Sequence, residues 1–305
     1  MTDSQRPVIT AVIPAFNEEN TIRNVVEKTL PFVSQVVVVD DGSTDSTGQI
    51  ATKAGATVLR HQQNEGYGAA LAEGFDYVRN NGANILVVMD ADGQHDPGQI
   101  PRLVEPIVNG TADIAIGSRF MDGAGKDDMP RYRRFGIGMV NKAWNFASSD
   151  TLSDTQCGFR AYSREAIDRI GLKEAGMCAS LEILDQASKN NLRLVEVPVS
   201  VKYGGDTSTV KPGRHGMELI NYVLRKMKEE HPLLIFGGSG VVVSMIGLAF
   251  GIYSINSYFE SRYLPFGPTI VAGILIYVGT LMVFGGLILN SIQALASKFE
   301  EKSSK

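Results

Sequence analysis

Asp90-Ala91-Asp92-Gly93-Gln94-His95 is the stretch on which the fold turns. It follows Asn84-Ile85-Leu86-Val87-Val88-Met89, an apolar and β-branched run with the length of a buried strand. Two carboxylates one residue apart, then a glycine, place both acids on a turn at the carboxyl edge of a sheet. Open α/β sheets bind their ligands there. Hard oxygen donors on such a turn suit Mg2+ or Mn2+, which keep positions open for diphosphate oxygens. Asp90, Asp92 and the neutral oxygen of Gln94 are the candidate ligands, with His95 a donor or a further ligand. A solvated acidic turn would also carry Asp-x-Asp, so the other strand ends decide.

Upstream, Val8–Ile13 reads as a first buried strand closed by Pro14, with a helix carried by Ile22, Val25, Val26 and Leu30. A second strand, Gln35–Val39, ends in Asp40-Asp41-Gly42-Ser43. A helix over about 46–54 leads to a third strand near Ala56–Arg60. Asn64-Glu65-Gly66-Tyr67-Gly68 then opens a helix to about Arg79, a turn whose backbone N–H groups can approach phosphate. Downstream, Asp113–Ile116 delivers Gly117-Ser118-Arg119. Alternating strands and helices with short loops predict an α/β fold with a mostly parallel sheet. Acids and a cation then gather at several strand ends along one edge, which a solvated turn does not explain.

Ile13-Pro14-Ala15-Phe16-Asn17-Glu18, Val39-Asp40-Asp41-Gly42-Ser43, Asp90–His95 and Gly117-Ser118-Arg119 together resemble glycosyltransferase family 2. More narrowly they resemble its dolichyl- and polyprenyl-phosphate sugar synthases, over roughly residues 7 to 230. The resemblance implies the GT-A fold, a Rossmann-like nucleotide-sugar domain with a Mg2+ or Mn2+ site at the sheet edge. It implies that Pro14, Phe16, Glu18, Val39 and Asp41 hold base and ribose. Asp90, Ala91, Asp92 and Gln94 would surround metal and diphosphate, and Arg119 would meet phosphate. Asp92, Arg119 and Lys202 are the catalytic candidates; Arg119, Arg131, Arg160, Lys202 and Ser208 are the acceptor-phosphate candidates. Asp154–Arg160 resembles the family's acceptor-side loop, in which Arg160 is either structural or a phosphate contact, and Lys202–Lys211 resembles a loop over the active site. The implied partners are a nucleotide-sugar donor and a polyprenyl or dolichyl phosphate, with inversion at the anomeric carbon. The resemblance leaves open the sugar, the nucleotide and the oligomeric state, a homo-oligomer included.

Pro130–Phe146 pairs arginines with Met139, Val140, Trp144 and Phe146, which suits a helix at an anionic membrane surface or one packed on the sheet. Leu192–Val199 reads as a further strand, and His215–Met227 as a second interfacial helix. From Leu233 to Phe259 and from Leu264 to Ser297 no charged residue occurs, and each run exceeds the roughly 20 residues a bilayer needs. Two transmembrane helices joined by a short loop, around Asn256 to Gly267, bring both ends to one side. Arg225, Lys226 and Lys228 before the first and Lys298 after the second place both termini and the catalytic domain in the cytoplasm, on a cell or ER-type membrane. The expected organisation is a GT-A domain over 1–212, an interfacial helix over 213–231, a membrane hairpin over 232–298 and a tail over 299–305.

The 305 residues carry a formal charge of −4, which gives no global argument for nucleic-acid binding. The mean hydropathy of −0.01 averages a polar domain with an apolar tail. The polar start, Met1–Pro7, has no signal-peptide core, and Cys157 and Cys178 read as free thiols. Two other functions compete. A processive polysaccharide synthase would carry Gln-x-x-Arg-Trp, whereas the single tryptophan, Trp144, follows Asn141-Lys142-Ala143. A non-catalytic membrane scaffold would not need acids at three strand ends.

Overall fold

A computed structural model describes residues 7–121, 131–148, 151–174, 176–201 and 212–303, with side chains described for most of them. The chain forms two compact units, Met1–Tyr222 and Val223–Lys305.

The first unit is built on a seven-stranded sheet in the order β3-β2-β1-β4-β6-β5-β7. Its strands are β1 (Ile9–Ala15), β2 (Gln35–Asp40), β3 (Thr57–Arg60), β4 (Ile85–Val88), β5 (Ile114–Ser118), β6 (Arg160–Ser163) and β7 (Leu194–Pro198). All neighbours are parallel except β6, which runs antiparallel to both β4 and β5. β1, β2, β4 and β5 are buried almost end to end, as expected of strands covered by helices on both faces. The helices are α1 (Ile22–Thr29), α2 (Thr47–Lys53), α3 (Tyr67–Asn80), α4 (Ile100–Val108), α5 (Arg131–Ala147), α6 (Arg164–Arg169) and α7 (Ala179–Lys189). From β1 the chain builds outward to β3, then returns to set β4 on the other side of β1. The carboxyl ends of β1 and β4 thus flank the point where strand order reverses, the usual crevice for ligands.

β1 runs through Pro14, which the sequence pattern treats as its end. Pro14 pairs with Val39 of β2 in register. Val12 O accepts from Met89 N on the β4 side, and Ala15 O accepts from Asp41 N on the β2 side. By alternation, the missing N–H of Pro14 falls on the β4 side, past Val88 where pairing with β4 has stopped. No ladder bond is lost. β6 is absent from the sequence expectation, where Arg160 sits in a loop.

α8 (Pro212–Glu230) leads into the second unit, which holds α9 (Gly238–Ser261) and α10 (Phe266–Ser303) after a π-helical turn, Leu233–Gly237. Leu233–Ser261 and Phe266–Leu295 are each long and apolar enough to cross a bilayer, with mean hydropathy 2.2 and only 17% of each apolar window buried. Soluble core helices of this length would be mostly buried. The two helices touch backbone to backbone: a Cβ added at Gly240 would lie 2.6 Å from the Gly279 carbonyl. In lipid, packing of this kind at small residues holds helices together. The connection is shorter than the predicted 256–267 loop, because Asn256 to Ser261 stay helical. The break comes at Arg262, which takes the left-handed conformation with φ 54°.

Candidate active site

The loops after β1 and β2 are laced into one wall. Asn17, at φ 57°, donates its N–H to Ser43 Oγ (3.0 Å) and accepts from Thr44 N at Oδ1 (2.9 Å). Glu18 N donates to Thr47 Oγ1 at 2.8 Å, and the Glu18 carboxylate accepts from Thr21 Oγ1 at 2.9 Å. Burial raises the Glu18 carboxyl above its ordinary range against the Thr21 bond, and the charges of Asp92, Asp45 and Asp90 add to the rise. Glu18, from β1, therefore stands in the field of both acids from β4.

Behind β2, Asp40 and Asp41 divide their tasks. Asp40 is fully buried and closes its own turn through Ser43 N (2.9 Å). Asp41 Oδ1 accepts from Glu65 N (2.8 Å) and Oδ2 from Gly66 N (2.9 Å), so it holds the glycine-rich turn before α3. His61 lies between two acids, with Nδ1 2.7 Å from Asp41 Oδ1 and Nε2 2.6 Å from Glu73 Oε2. Burial pulls the imidazole down, but the two carboxylates outweigh it and leave the pKa raised. Pro14 and Val39 are buried, and Phe16 is half-buried.

Asp90 and Asp92 sit on the turn beyond β4, both half-buried. Asp92 Oδ1 accepts from Gln94 N at 2.9 Å, which fixes the turn, and Ala91 between them is buried. Gly158 is a glycine for a steric reason: a Cβ there would lie 2.6 Å from Asp90 Oδ1. His95 is buried, stacked on Phe159 (centroids 5.3 Å apart), with Nδ1 3.7 Å from Asp90 Oδ2 and Nε2 4.0 Å from Cys157 Sγ. Burial pushes its imidazole down to about 4 against the charge of Asp92, with Arg119 adding to the fall. His95 is therefore neutral at pH 7. Among the described residues no group of three His, Cys, Asp or Glu side chains converges to hold an ion. Mg2+ needs only one or two carboxylates when phosphates complete its shell, so Asp90 and Asp92 fit that ion.

Arg119, at the end of β5, is 6% exposed and forms a fork with Asp154, Nε to Oδ2 at 2.7 Å and Nη2 to Oδ1 at 2.8 Å. This is a planar bidentate pair that orients the guanidinium. Arg160 is a correction to the acceptor-phosphate set. Its guanidinium is buried beneath the loop and donates to the carbonyls of Cys157 (2.8 Å), Ser180 (3.0 Å) and Thr155 (2.8 Å). It braces β6 and the loop before it, and its donors face protein. Lys202, Ser208 and the Lys202–Lys211 loop lie outside the described residues, as do the side chains of Arg131 and Arg133. α5 presents Arg134, Phe135, Met139, Lys142 and Phe146 outward and buries Val140, Asn141 and Trp144. Trp144 has no exposed surface and is part of the core.

Sequence reasoning missed Asn17, Asp154 as the Arg119 partner, and Gly158. The first had a signal, an asparagine between two strand-end motifs; the other two depend on contacts across the sheet. Glu182 is the other acid that invites a general-base role. It is 8% exposed and accepts from Lys173 N (3.1 and 3.0 Å) and Glu174 N (2.9 Å), so it caps a loop. Glu182→Gln is expected to keep transfer well within the ~10²-fold that loss of a general base costs at minimum, measured as initial rates on folded protein.

Asp90 and Asp92 thus lie on the turn beyond β4, where strand order reverses, and Arg119 follows β5 with its guanidinium oriented by Asp154. Residues 10–171 match the family described as Glycosyl transferase family 2, and the chain belongs to it. Polyprenol monophosphomannose synthase of Mycolicibacterium smegmatis is 33% identical over 208 residues, 65% of this chain and 77% of the relative. UDP-N-acetylglucosamine–dolichyl-phosphate N-acetylglucosaminyltransferase of Methanococcus voltae is 30% identical over 218 residues, 64% and 86% of the two chains. Among solved structures, glucosyl-3-phosphoglycerate synthase from Mycobacterium tuberculosis, in complex with UDP, superposes with a TM-score of 0.59. The match is 24% identical and covers 72% of this chain and 80% of that one. The fold is GT-A-like, and the chain is a glycosyltransferase.

Proposed function

We propose that the protein moves a single sugar from a nucleotide-sugar donor to a polyprenyl or dolichyl phosphate held in a membrane. The observation that carries this is a GT-A-like domain joined in one chain to two bilayer-length helices. The two relatives above are named for polyprenol and dolichyl-phosphate chemistry and differ in their sugar, which supports the acceptor and leaves the sugar open. Arg225, Lys226 and Lys228 before the first apolar helix and Lys298 after the second favour a catalytic domain and both termini on the cytoplasmic side. Residues 1–212 are the catalytic domain, 213–231 the interfacial link, 232–298 the hairpin and 299–305 the tail. The outward face of α5, with Phe135, Met139 and Phe146 beside Arg134 and Lys142, has the composition of a surface that rests on anionic lipid.

In this mechanism the β1 and β2 loops hold the nucleoside, with Pro14, Phe16, Glu18, Val39, Asp41 and Ala91 lining it. Asp90 and Asp92, with Gln94, would hold Mg2+ or Mn2+, and that ion would supply positive charge to the departing nucleoside diphosphate. Arg119, aimed by Asp154, offsets phosphate charge where donor and acceptor meet. The acceptor needs no proton removed, because a phosphate monoester has its second pKa near ~6 and is largely dianionic at pH 7. Its oxygen attacks the anomeric carbon, the carbon–oxygen bond to the diphosphate breaks, and configuration inverts.

The test gives membranes containing the full chain a panel of labelled nucleotide sugars. Label is expected in an organic-extractable, mild-acid-labile lipid for one donor. Label confined to polymer or water-soluble product would overturn the acceptor. The rate is also expected to fall below about pH 6, where the acceptor takes up a proton, and to stay level through pH 7–8.

A further inference from the structure

The carboxylate that aims Arg119 is itself held by a helix on the outside of the domain. Asp154 belongs to the turn 152–155, and α5 grips that turn with two asparagines. Asn141 Nδ2 donates to Ser153 O at 2.6 Å, and Asn141 Oδ1 accepts from Thr155 N at 3.1 Å and Thr155 Oγ1 at 2.7 Å. One helical turn on, Asn145 Nδ2 donates to Leu152 O at 2.9 Å and Oδ1 accepts from Leu152 N at 3.0 Å. From the sheet side, the Glu196 carboxylate of β7 accepts from Ser153 N, Ser153 Oγ and Asp154 N, at 2.9, 2.8 and 2.9 Å. Ser118 Oγ, adjacent to Arg119 in the chain, lies 2.7 Å from Ser153 Oγ.

Asparagine is a middling helix former, and a buried side-chain amide is costly unless it is bonded. Leucine at these positions would pack α5 on the domain as well. The asparagines therefore need a reason, and the bonds they make all end on the turn that carries Asp154.

We infer that Asn141 and Asn145 are positioning residues that hold Arg119 at the reaction centre through the 152–155 turn. Their helix carries Phe135, Met139, Lys142 and Phe146 on its opposite face. One rigid helix thereby fixes both the surface offered to lipid and the guanidinium offered to phosphate. The inference rests on the proposed phosphate role of Arg119.

The test uses the full-length protein in detergent micelles and two readouts. By hydrogen exchange, Asn141→Ala is expected to speed amides 152–156 and also 118–120 by about tenfold, since Arg119 N donates to Asp154 Oδ2 at 3.2 Å. Acceleration confined to 152–156 would overturn the inference. In transfer to farnesyl phosphate, with the donor selected by the panel above, Asn141→Ala is expected to lower kcat about tenfold and leave the donor KM within about twofold. Combined with Arg119→Lys, the loss should be no greater than for Arg119→Lys alone, whereas multiplicative losses would show independent roles. Asn145→Ala, at a half-buried site, carries the same comparisons if Asn141→Ala does not fold. Normal transfer by Arg119→Lys would remove the phosphate role of Arg119, and the exchange result would then decide the positioning on its own.

Discussion

Asp92→Asn is expected to lower sugar transfer by about 10²–10³-fold, the cost typical of losing one preorganised electrostatic stabiliser at a reacting centre. The substitution keeps shape. Asp92 Oδ1 accepts from Gln94 N at 2.9 Å, and an asparagine oxygen can accept the same bond, so the turn beyond β4 should persist. What disappears is one of two negative charges offered to a divalent cation. Mn2+-dependent binding of nucleoside diphosphate should weaken in parallel, and this readout does not need turnover. Glu18 offers an internal control, since the charges of Asp92 and Asp90 contribute to holding its carboxyl pKa up. In Asp92→Asn that pKa should move back toward its ordinary value. Near-normal transfer with unchanged Mn2+ dependence would sink the metal assignment.

The parts of this site that were legible in the sequence are those encoded by short, contiguous patterns. Buried parallel strands are near-continuous apolar runs, so β1, β2 and β4 announce themselves, and so do the acids at their ends. The two apolar helices are equally plain, because a charge at the centre of a bilayer span costs about 2.5–3.5 kcal/mol and none is present in either run. β6 was not legible. Its four residues, Arg160–Ser163, have no long apolar run, and their strand character comes from the neighbours β4 and β5. Arg160 shows the same limit for a site residue. A sequence locates a guanidinium but not the carbonyls its five donors reach, and here those carbonyls are all in the protein. Asp154 reads as part of a loop for the complementary reason, since its partner lies 35 residues back, just past β5.

Asp154→Ala is expected to be the most damaging single change in the catalytic unit. Asp154 has no exposed surface, Arg119 is 6% exposed, and the two share a bidentate fork. Removing one partner of a buried pair leaves a charge out of water without compensation, which costs about 3–5 kcal/mol. Domains of this kind have only about 5–15 kcal/mol of stability in total. The denaturation midpoint should therefore fall sharply, and transfer should be lost with it. Stability and chemistry can be separated by removing both charges. In Asp154→Leu with Arg119→Leu, the desolvation penalty goes as well, and replacing a buried pair by apolar groups is often neutral or stabilising. The double variant should recover most of the lost stability, read from denaturant unfolding followed by a probe in the sheet domain. It should not recover transfer, because the guanidinium proposed to meet phosphate is gone. A cost below about 1 kcal/mol for Asp154→Ala would mean that the pair behaves as a surface ion pair. Recovery of transfer together with stability would mean that Arg119 serves the fold alone, and the phosphate would then have to be met by another cation.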